Sequence, residues 1–404
     1  MKHLFLIFSL VTTLQIRATT IPSDSGSFPF VGNQTITFID SARNNRNIQS
    51  LVYYPATSEG NGTPIALSGG KYPVISFGHG FTINPNVYVH LYRHLASWGY
   101  IIIAPATETG FFPSHLEFAK DLAFVLKDMK RKNRVISDFF FNTIDTIQTG
   151  VFGHSMGGGC SFLAGSLDTT IKAISSLAAA ITNPSSVTAI QQIQRPVQLL
   201  SGQRDSIASY WSHQLPHYVA ANPYKQIINI KGGNHSYFHL LPALDDLVDN
   251  PATITRNEQQ RLTRAYITSF YNLFLKNDTN YKTYLYGNIA QSDTGIIMQY
   301  QLPVVTGIYN NETNFKEFEL IQNYPNPFNP YTIINYSIQK SAYVELKIYD
   351  AAGKLISTLV NQFQNTGNYS VRFDANNYKL SSGIYFYKLS ADKLSEVKSM
   401  TFIK

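Results

Sequence analysis

Between about residues 27 and 276, short runs rich in Val, Ile, Phe and Tyr alternate with stretches of helical period. The runs at 72–77, 100–104, 147–152, 171–176, 197–201 and 226–230 are predicted strands, several nearly continuous in Val and Ile as strands buried on both faces are. Apolar residues recur at spacings of three and four over 89–98, 116–130, 156–167 and 258–275, which predicts helices between and after those strands. This alternation gives an α/β fold, a mostly parallel sheet with helices on both faces, over 27–290. The pattern then decays into a polar passage rich in Asn and Tyr, read as a linker over 291–318. From 319 to 404, short alternating strands at 344–349, 369–373 and 384–389 are separated by turn residues, which predicts a small all-β sandwich. No period of 20 to 50 residues recurs, so solenoids and propellers are excluded.

Residues 1–18 begin with Lys2 and His3, run apolar from Leu4 to about Leu14 and reach a small residue at Ala18, the arrangement of an export signal peptide. No other segment approaches 18 consecutive apolar residues, so no stable membrane span is expected. Hydrophobic residues make up 44% and charged residues 14%, which supports a large packed core and excludes wholesale disorder. The formal charge is +7, but the basic residues are scattered without a stripe, so nucleic acid is not an expected partner. The single cysteine, Cys160, rules out an internal disulfide and a Cys-based zinc site, and its setting in GGGCSF reads as a buried, inert thiol.

The strongest chemical signal is Gly153-His154-Ser155-Met156-Gly157, between a predicted strand and a predicted helix. A serine on such a sharp turn is held in strained backbone geometry with its hydroxyl presented, and the flanking glycines let strand and helix approach closely. Asp205 and His235 follow in the order Ser, acid, His, each just beyond a predicted strand, so three chemically matched groups reach the carboxyl rim of one sheet. His239 is the rival base and Asp168 the rival acid; Gly232 and Gly233 favour His235, and the position of Asp168 at a helix end disfavours it. His213 and His217, four apart on a predicted helix, read as a surface face. Two backbone N–H groups complete the constellation: Met156 at the helix start and Phe81 in the Gly78-His79-Gly80-Phe81 loop, with His79 as a buttress. Only residues 182–195 separate two strands where a lid would be inserted, so the cleft is expected to be open. Of Phe111, Phe112, Phe139, Phe140 and Phe141, most are expected in the core and the rest on the rim.

At GHGFT, HLASWGYIIIAPAT, GVFGHSMGGG and RDSIA, with GGNHSYF less distinctive, the chain resembles the α/β-hydrolase fold. More narrowly it resembles the bacterial cutinase and polyester (PET) hydrolase branch and its dienelactone-hydrolase-like relatives. That resemblance implies a secreted serine carboxylester hydrolase acting on an ester or polyester through an acyl-enzyme, with no metal or organic cofactor. It implies catalytic Ser155, Asp205 and His235, an oxyanion hole at Phe81 and Met156, and a substrate site at Phe81, His154, Met156, Ala180 and Ile181. Members active on aromatic polyesters commonly carry a Trp where this chain has Ala180 and Ile181. The alternatives are a serine peptidase or amidase on the same fold, and a catalytically inactive surface adhesin.

The carboxy-terminal pieces NYPNPFNPYTIINYSI, VELKIYDAAGKLISTL, GNYSVRFDA and SSGIYFYKL, with Lys398 and Lys404 at the basic end, resemble the type A sorting domain of the Bacteroidota type IX secretion system. The resemblance implies passage through the periplasm, handling by that machinery, and release or attachment at the cell surface. The alternative is an adhesive sandwich using Tyr385 and Tyr387, on one strand face, as exposed platforms.

Overall fold

The computed structural model describes residues 22–240, 244–303, 318–338, 341–365, 367–392 and 394–404, so the segment read as a signal peptide lies outside the described residues. The chain forms two compact units, 1–305 and 306–404. In the first, strands β1 (Val31–Asp40), β2 (Arg46–Pro55), β3 (Gly60–Asn61), β4 (Tyr72–Gly78), β5 (Ile101–Pro105), β6 (Ile144–Gly153), β7 (Ala173–Leu177), β8 (Val197–Gly202), β9 (Lys225–Ile230) and β10 (Ile296–Gln301) make one sheet. Their order is β10-β9-β8-β7-β6-β4-β5-β2-β1-β3. From β9 to β5 all neighbours are parallel, while β2, β1 and β10 add antiparallel pairs at the two sides.

The predicted strands appear as β4 to β9, and β4, β5, β7, β8 and β9 are buried along their whole length, which is why their apolar runs are so continuous. The predicted helices appear as α1 (Val89–Ser97), α2 (His115–Lys132), α3 (Met156–Leu167) and, after the short α4 (Ser186–Ile190) and α5 (Leu215–Ala220), as α6 (Arg256–Leu275). Helices α1 and α6 pack on one another, as do α2 and α3, giving the two helical layers. Leu91, Leu95, Leu262 and Phe270 share one core with Ile75, Phe77 and Ile102 of the sheet.

Two features differ from the sequence reading. The range 291–318, read as a linker, contains β10, which pairs with β9 from Ile296↔Ile230 to Gln301↔Lys225. Its sequence IIMQYQ is apolar at its start, but the run is short, set in a polar passage, and only Ile296 is fully buried; residues 304–317 lie outside the described residues. The long β1–β2 hairpin is also absent from the sequence reading, because polar residues such as Asn33, Gln34, Arg46, Asn47 and Gln49 dilute the apolar signal of both strands.

The hairpin is fastened to α2 by charge. Arg46 grips the buried Asp121 carboxylate from two nitrogens, Nε at 2.9 Å from Oδ1 and Nη2 at 2.7 Å from Oδ2, while the Thr107 hydroxyl donates to Oδ2 at 2.6 Å. A two-pronged guanidinium–carboxylate contact fixes orientation as well as distance.

The second unit contains a three-stranded sheet of β11 (Phe318–Leu320), β12 (Tyr331–Ile338) and β15 (Gly367–Asp374), and a four-stranded sheet ordered β14 (Leu355–Gln364), β13 (Ala342–Tyr349), β16 (Gly383–Ala391), β17 (Leu394–Phe402). All pairings are antiparallel, and Ile334 and Tyr336 of one sheet share a core with Leu346, Tyr387 and Met400 of the other. Tyr385 and Tyr387 do share a face, but it is the inner one: both are buried, and the Tyr387 hydroxyl donates to Ile321 O while accepting from Asn323 N–H. They are core residues and not exposed platforms.

Replacing Asp121 with Ala removes the buried carboxylate that Arg46 and Arg43 share, while Glu108 stays on Arg46, and should cost about 2 kcal/mol. Urea unfolding followed by the fluorescence of Trp98 and Trp211, both in the first unit, measures this directly.

Candidate active site

Strand β6 ends at Gly153 and α3 starts at Met156, leaving His154 and Ser155 to make the turn. Ser155 has φ 54° and ψ −118°, a left-handed conformation that a serine adopts only when its surroundings impose it. The surroundings are backbone. A Cβ on Gly157 would lie 2.1 Å from Gly78 O, and one on Gly153 would lie 2.4 Å from the Gly157 carbonyl, so β4, β6 and α3 meet more closely than any side chain allows. Ser155 N–H donates to Leu177 O (2.9 Å), and its carbonyl accepts from Gly159 N–H (3.1 Å) and Ala180 N–H (2.9 Å). The Ser155 hydroxyl makes no hydrogen bond among the described residues.

Asp205, in the loop after β8, is buried, and its Oδ1 accepts from the N–H groups of Ile207 (2.9 Å) and Ala208 (2.7 Å). Its Oδ2 lies 2.8 Å from His235 Nδ1 in the loop after β9, so Nδ1 carries the proton and Nε2 is the free basic nitrogen. That loop turns at Gly232 (φ 70°) and is clamped by Gln259 of α6, which accepts from Asn234 N–H and donates to Asn234 O. Burial alone lowers the pKa of His235, but the Asp205 charge and hydrogen bond, with the charges of Asp245 and Asp249, outweigh it and raise the pKa above its ordinary 6.5.

His154 is placed differently from the substrate-facing position implied by resemblance. Its ring is completely buried, 4.6 Å from the His235 ring and 5.6 Å from Phe238. Its Nε2 lies 3.1 Å from His235 O, which can only accept, so Nε2 carries the proton and Nδ1 accepts from the Tyr88 hydroxyl at 2.8 Å. Tyr88 in turn accepts from Gly80 N–H at 3.2 Å. Burial, with the neighbouring His235 and His239, pushes the His154 pKa far down, so this relay is neutral. It ties together the Gly80 loop, the serine turn and the histidine loop. Tyr88 went unnoticed in the sequence because no spacing links it to residue 154.

Met156 is buried and Phe81 is 46% exposed; neither N–H donates a hydrogen bond among the described residues. Ala180 is half-buried and Ile181 is 38% exposed beside the serine turn. Ile181 N–H donates to His213 Nδ1 (3.0 Å), while His217 Nδ1 donates to His213 O (2.6 Å) and its Nε2 accepts from Ser186 Oγ (2.8 Å). His217 is fully buried, so these two histidines brace the loop between β7 and α4 and do not form a surface face. Between β7 and β8 the only helix is α4.

The rivals are occupied elsewhere. Asp168 caps the far end of α3 and accepts from Thr170 N–H. His239 Nε2 lies 3.0 Å from Asp245 and its Nδ1 faces Arg256, leaving neither ring nitrogen free. His239, Asp245 and Asp246 are the one group of metal-ligand character among the described residues, and the Arg256 guanidinium lies within it, donating to Asp246 and to His239 O at 2.6 Å each. His79 is buried between the carbonyls of Gly80 and Thr107, and burial raises the Cys160 thiol pKa. Of the five phenylalanines at 111, 112 and 139–141 only Phe140 is core; Phe111, Phe112, Phe139 and Phe141 sit in loops and are exposed, Phe112 completely.

Two matches to known families follow the same division. Residues 322–403 match the secretion system C-terminal sorting domain, and residues 33–301 match the PET hydrolase-like family, from β1 through the end of β10. No described helix is long and apolar enough to cross a membrane. The chain therefore belongs to the PET hydrolase-like family, and its sorting domain makes it a secreted or cell-surface hydrolase.

Proposed function

We propose that the chain is a serine carboxylester hydrolase, cutinase- or polyesterase-like, in which Ser155 is the nucleophile, His235 the general base and Asp205 its orienting acid. The observation that carries this reading is the buried 2.8 Å contact between Asp205 and His235 Nδ1, which leaves His235 Nε2 without a partner among the described residues, its ring 4.6 Å from that of His154 on the strained serine turn. Nε2 removes the Ser155 proton as the hydroxyl oxygen attacks the ester carbonyl, and Asp205 stabilises the resulting imidazolium. The Phe81 and Met156 N–H groups, both without partners among the described residues, receive the oxyanion. Each such donor is typically worth about 3 kcal/mol. Collapse of the tetrahedral adduct expels the alcohol, which takes the proton from His235; water, activated by the same nitrogen, then releases the acid. The contact between Ser155 and His235 forms on substrate binding, as catalytic hydrogen bonds in free enzymes often do.

The acyl group rests between the exposed rings and chains of Phe81 and Ile181, with Ala180 leaving space where a large aromatic wall would stand. This favours bulky or polymeric esters over a snug aromatic clamp. The carboxy-terminal unit is read as a type A sorting domain for type IX secretion, paired with export by residues 1–18.

Ser155→Ala should lower turnover of p-nitrophenyl butyrate by about a thousand-fold or more without moving the unfolding midpoint; higher residual turnover removes Ser155 from the mechanism. Since His235 acts only when neutral and its pKa is raised, kcat/KM should fall on acidification with a midpoint above 6.5. A p-nitroanilide of the same acyl group should turn over at less than about a hundredth of the ester rate, and comparable rates would establish an amidase instead.

A further inference from the structure

Ahead of α6, residues 244–255 cross over both loops that carry the proposed acid and base. Arg204 Nε donates to Pro251 O, Asn234 Nδ2 donates to Asn250 O (3.1 Å), and Thr253 N–H donates to Gly232 O (2.8 Å). At the centre of this strap is Asp249. Its Oδ1 accepts from Ser206 N–H and Ser206 Oγ, both at 3.0 Å, and from Asn250 N–H at 2.9 Å; its Oδ2 accepts from His235 N–H at 2.6 Å and Ser236 N–H at 3.2 Å. One carboxylate thus joins the residue following Asp205 to the backbone of His235 itself. It has no ion-pair partner among the described residues, and the triad chemistry does not use it.

The charged and titratable groups around His235 come from five places, one of them α6, whose Arg256 guanidinium donates to Ser236 O at 2.9 Å. Asp205 and His213 lie on the segment after β8, His154 on the serine turn, Asp245 and Asp249 on the strap, and His239 on the histidine loop's own continuation. His154 is neutral, and the Asp245 carboxylate is engaged by His239. Asp249 is the carboxylate with two hydrogen bonds to the backbone of the base loop.

Resting on the triad reading above, we propose that Asp249 is a positioning residue for the base: its carboxylate pins the His235 backbone to the Asp205 loop and contributes negative charge to the imidazole. Position and charge are separable by substitution. Asp249→Asn keeps the shape and an acceptor oxygen but removes the charge and turns one acceptor into a donor facing N–H groups; Asp249→Glu keeps the charge on a longer arm.

The test is the pH dependence of p-nitrophenyl butyrate hydrolysis by the full chain and both variants, with circular dichroism to confirm folding. Less negative charge destabilises the imidazolium, so the acid limb of kcat/KM in Asp249→Asn should move to lower pH by about half a unit or more. Its kcat should fall by about ten-fold with KM within about two-fold, because the base is displaced while substrate contacts remain. Asp249→Glu should keep the wild-type limb. A folded Asn variant with an unmoved limb overturns the proposal, as does an equal shift in the Glu variant. An Asn variant that fails to fold also overturns it, by making Asp249 a determinant of folding and not of the base. Labelling of Ser155 by a fluorophosphonate separates the two levels: no label on wild type defeats the triad reading, whereas a labelled wild type with an unmoved Asn limb defeats only the role of Asp249.

Discussion

The contact on which the rest depends is backbone against backbone: Gly157 of α3 lies so close to Gly78 of β4 that no Cβ fits between them. That approach forces the chain to turn within two residues after β6, and the turn imposes positive φ on Ser155. The same contact brings Gly78 and His79 alongside the start of α3. Strain at Ser155 is held in place by its hydrogen bonds to Leu177, Gly159 and Ala180, on the neighbouring strand end and on α3 itself.

A rigid serine is of use only if the groups around it are equally fixed, and they arrive on loops, the least constrained parts of a sheet protein. The fold answers with buried ties of two kinds. The neutral relay from Gly80 through Tyr88 and His154 to His235 O joins loops after β4, β6 and β9 without placing a charge in the interior. The charged tie, Asp249, lies nearer the surface, where a carboxylate with five hydrogen bonds is tolerable. With a single, buried cysteine, the chain has no disulfide to do this work, and hydrogen bonds between loops do it instead, among them Arg204 N–H to Gly233 O at 2.7 Å.

What was legible in the sequence follows the strength of the burial signal. Strands β4 and β5 and β7 to β9 are wholly inside and read almost letter by letter, and the Gly-His-Ser-Met-Gly turn announces itself because glycine is the only residue its geometry admits at positions 153 and 157. Elements at the sheet's margins did not read: β10 is half-exposed, and the β1–β2 hairpin is set as much by Arg46 and Asp121, 75 residues apart, as by apolar contacts. Side-chain direction is the least legible property: Tyr385 and Tyr387 share one strand face, and burial on its inner side removes the adhesive alternative, while His217 is buried where helical spacing suggests a surface face, because alternation or period identifies a face and not what covers it. Tyr88 and Asp249 carried no signal at all, since a hydrogen-bond acceptor acting across loops leaves no periodic trace.

The division of labour between the two units follows from their cores. Ile334, Leu346 and Tyr387 belong to a hydrophobic cluster separate from the one beneath the ten-stranded sheet, so each unit has the apolar interior that independent folding requires. Every residue of the proposed site, from Phe81 to Asp249, lies in the first unit and before β10. A sorting domain with its own core can be recognised by secretion machinery without disturbing the strained serine, because no strand of the catalytic sheet is borrowed from the tail. The constraint at Gly157 is in this sense local to one unit, and it makes catalysis and export separable properties of a single chain.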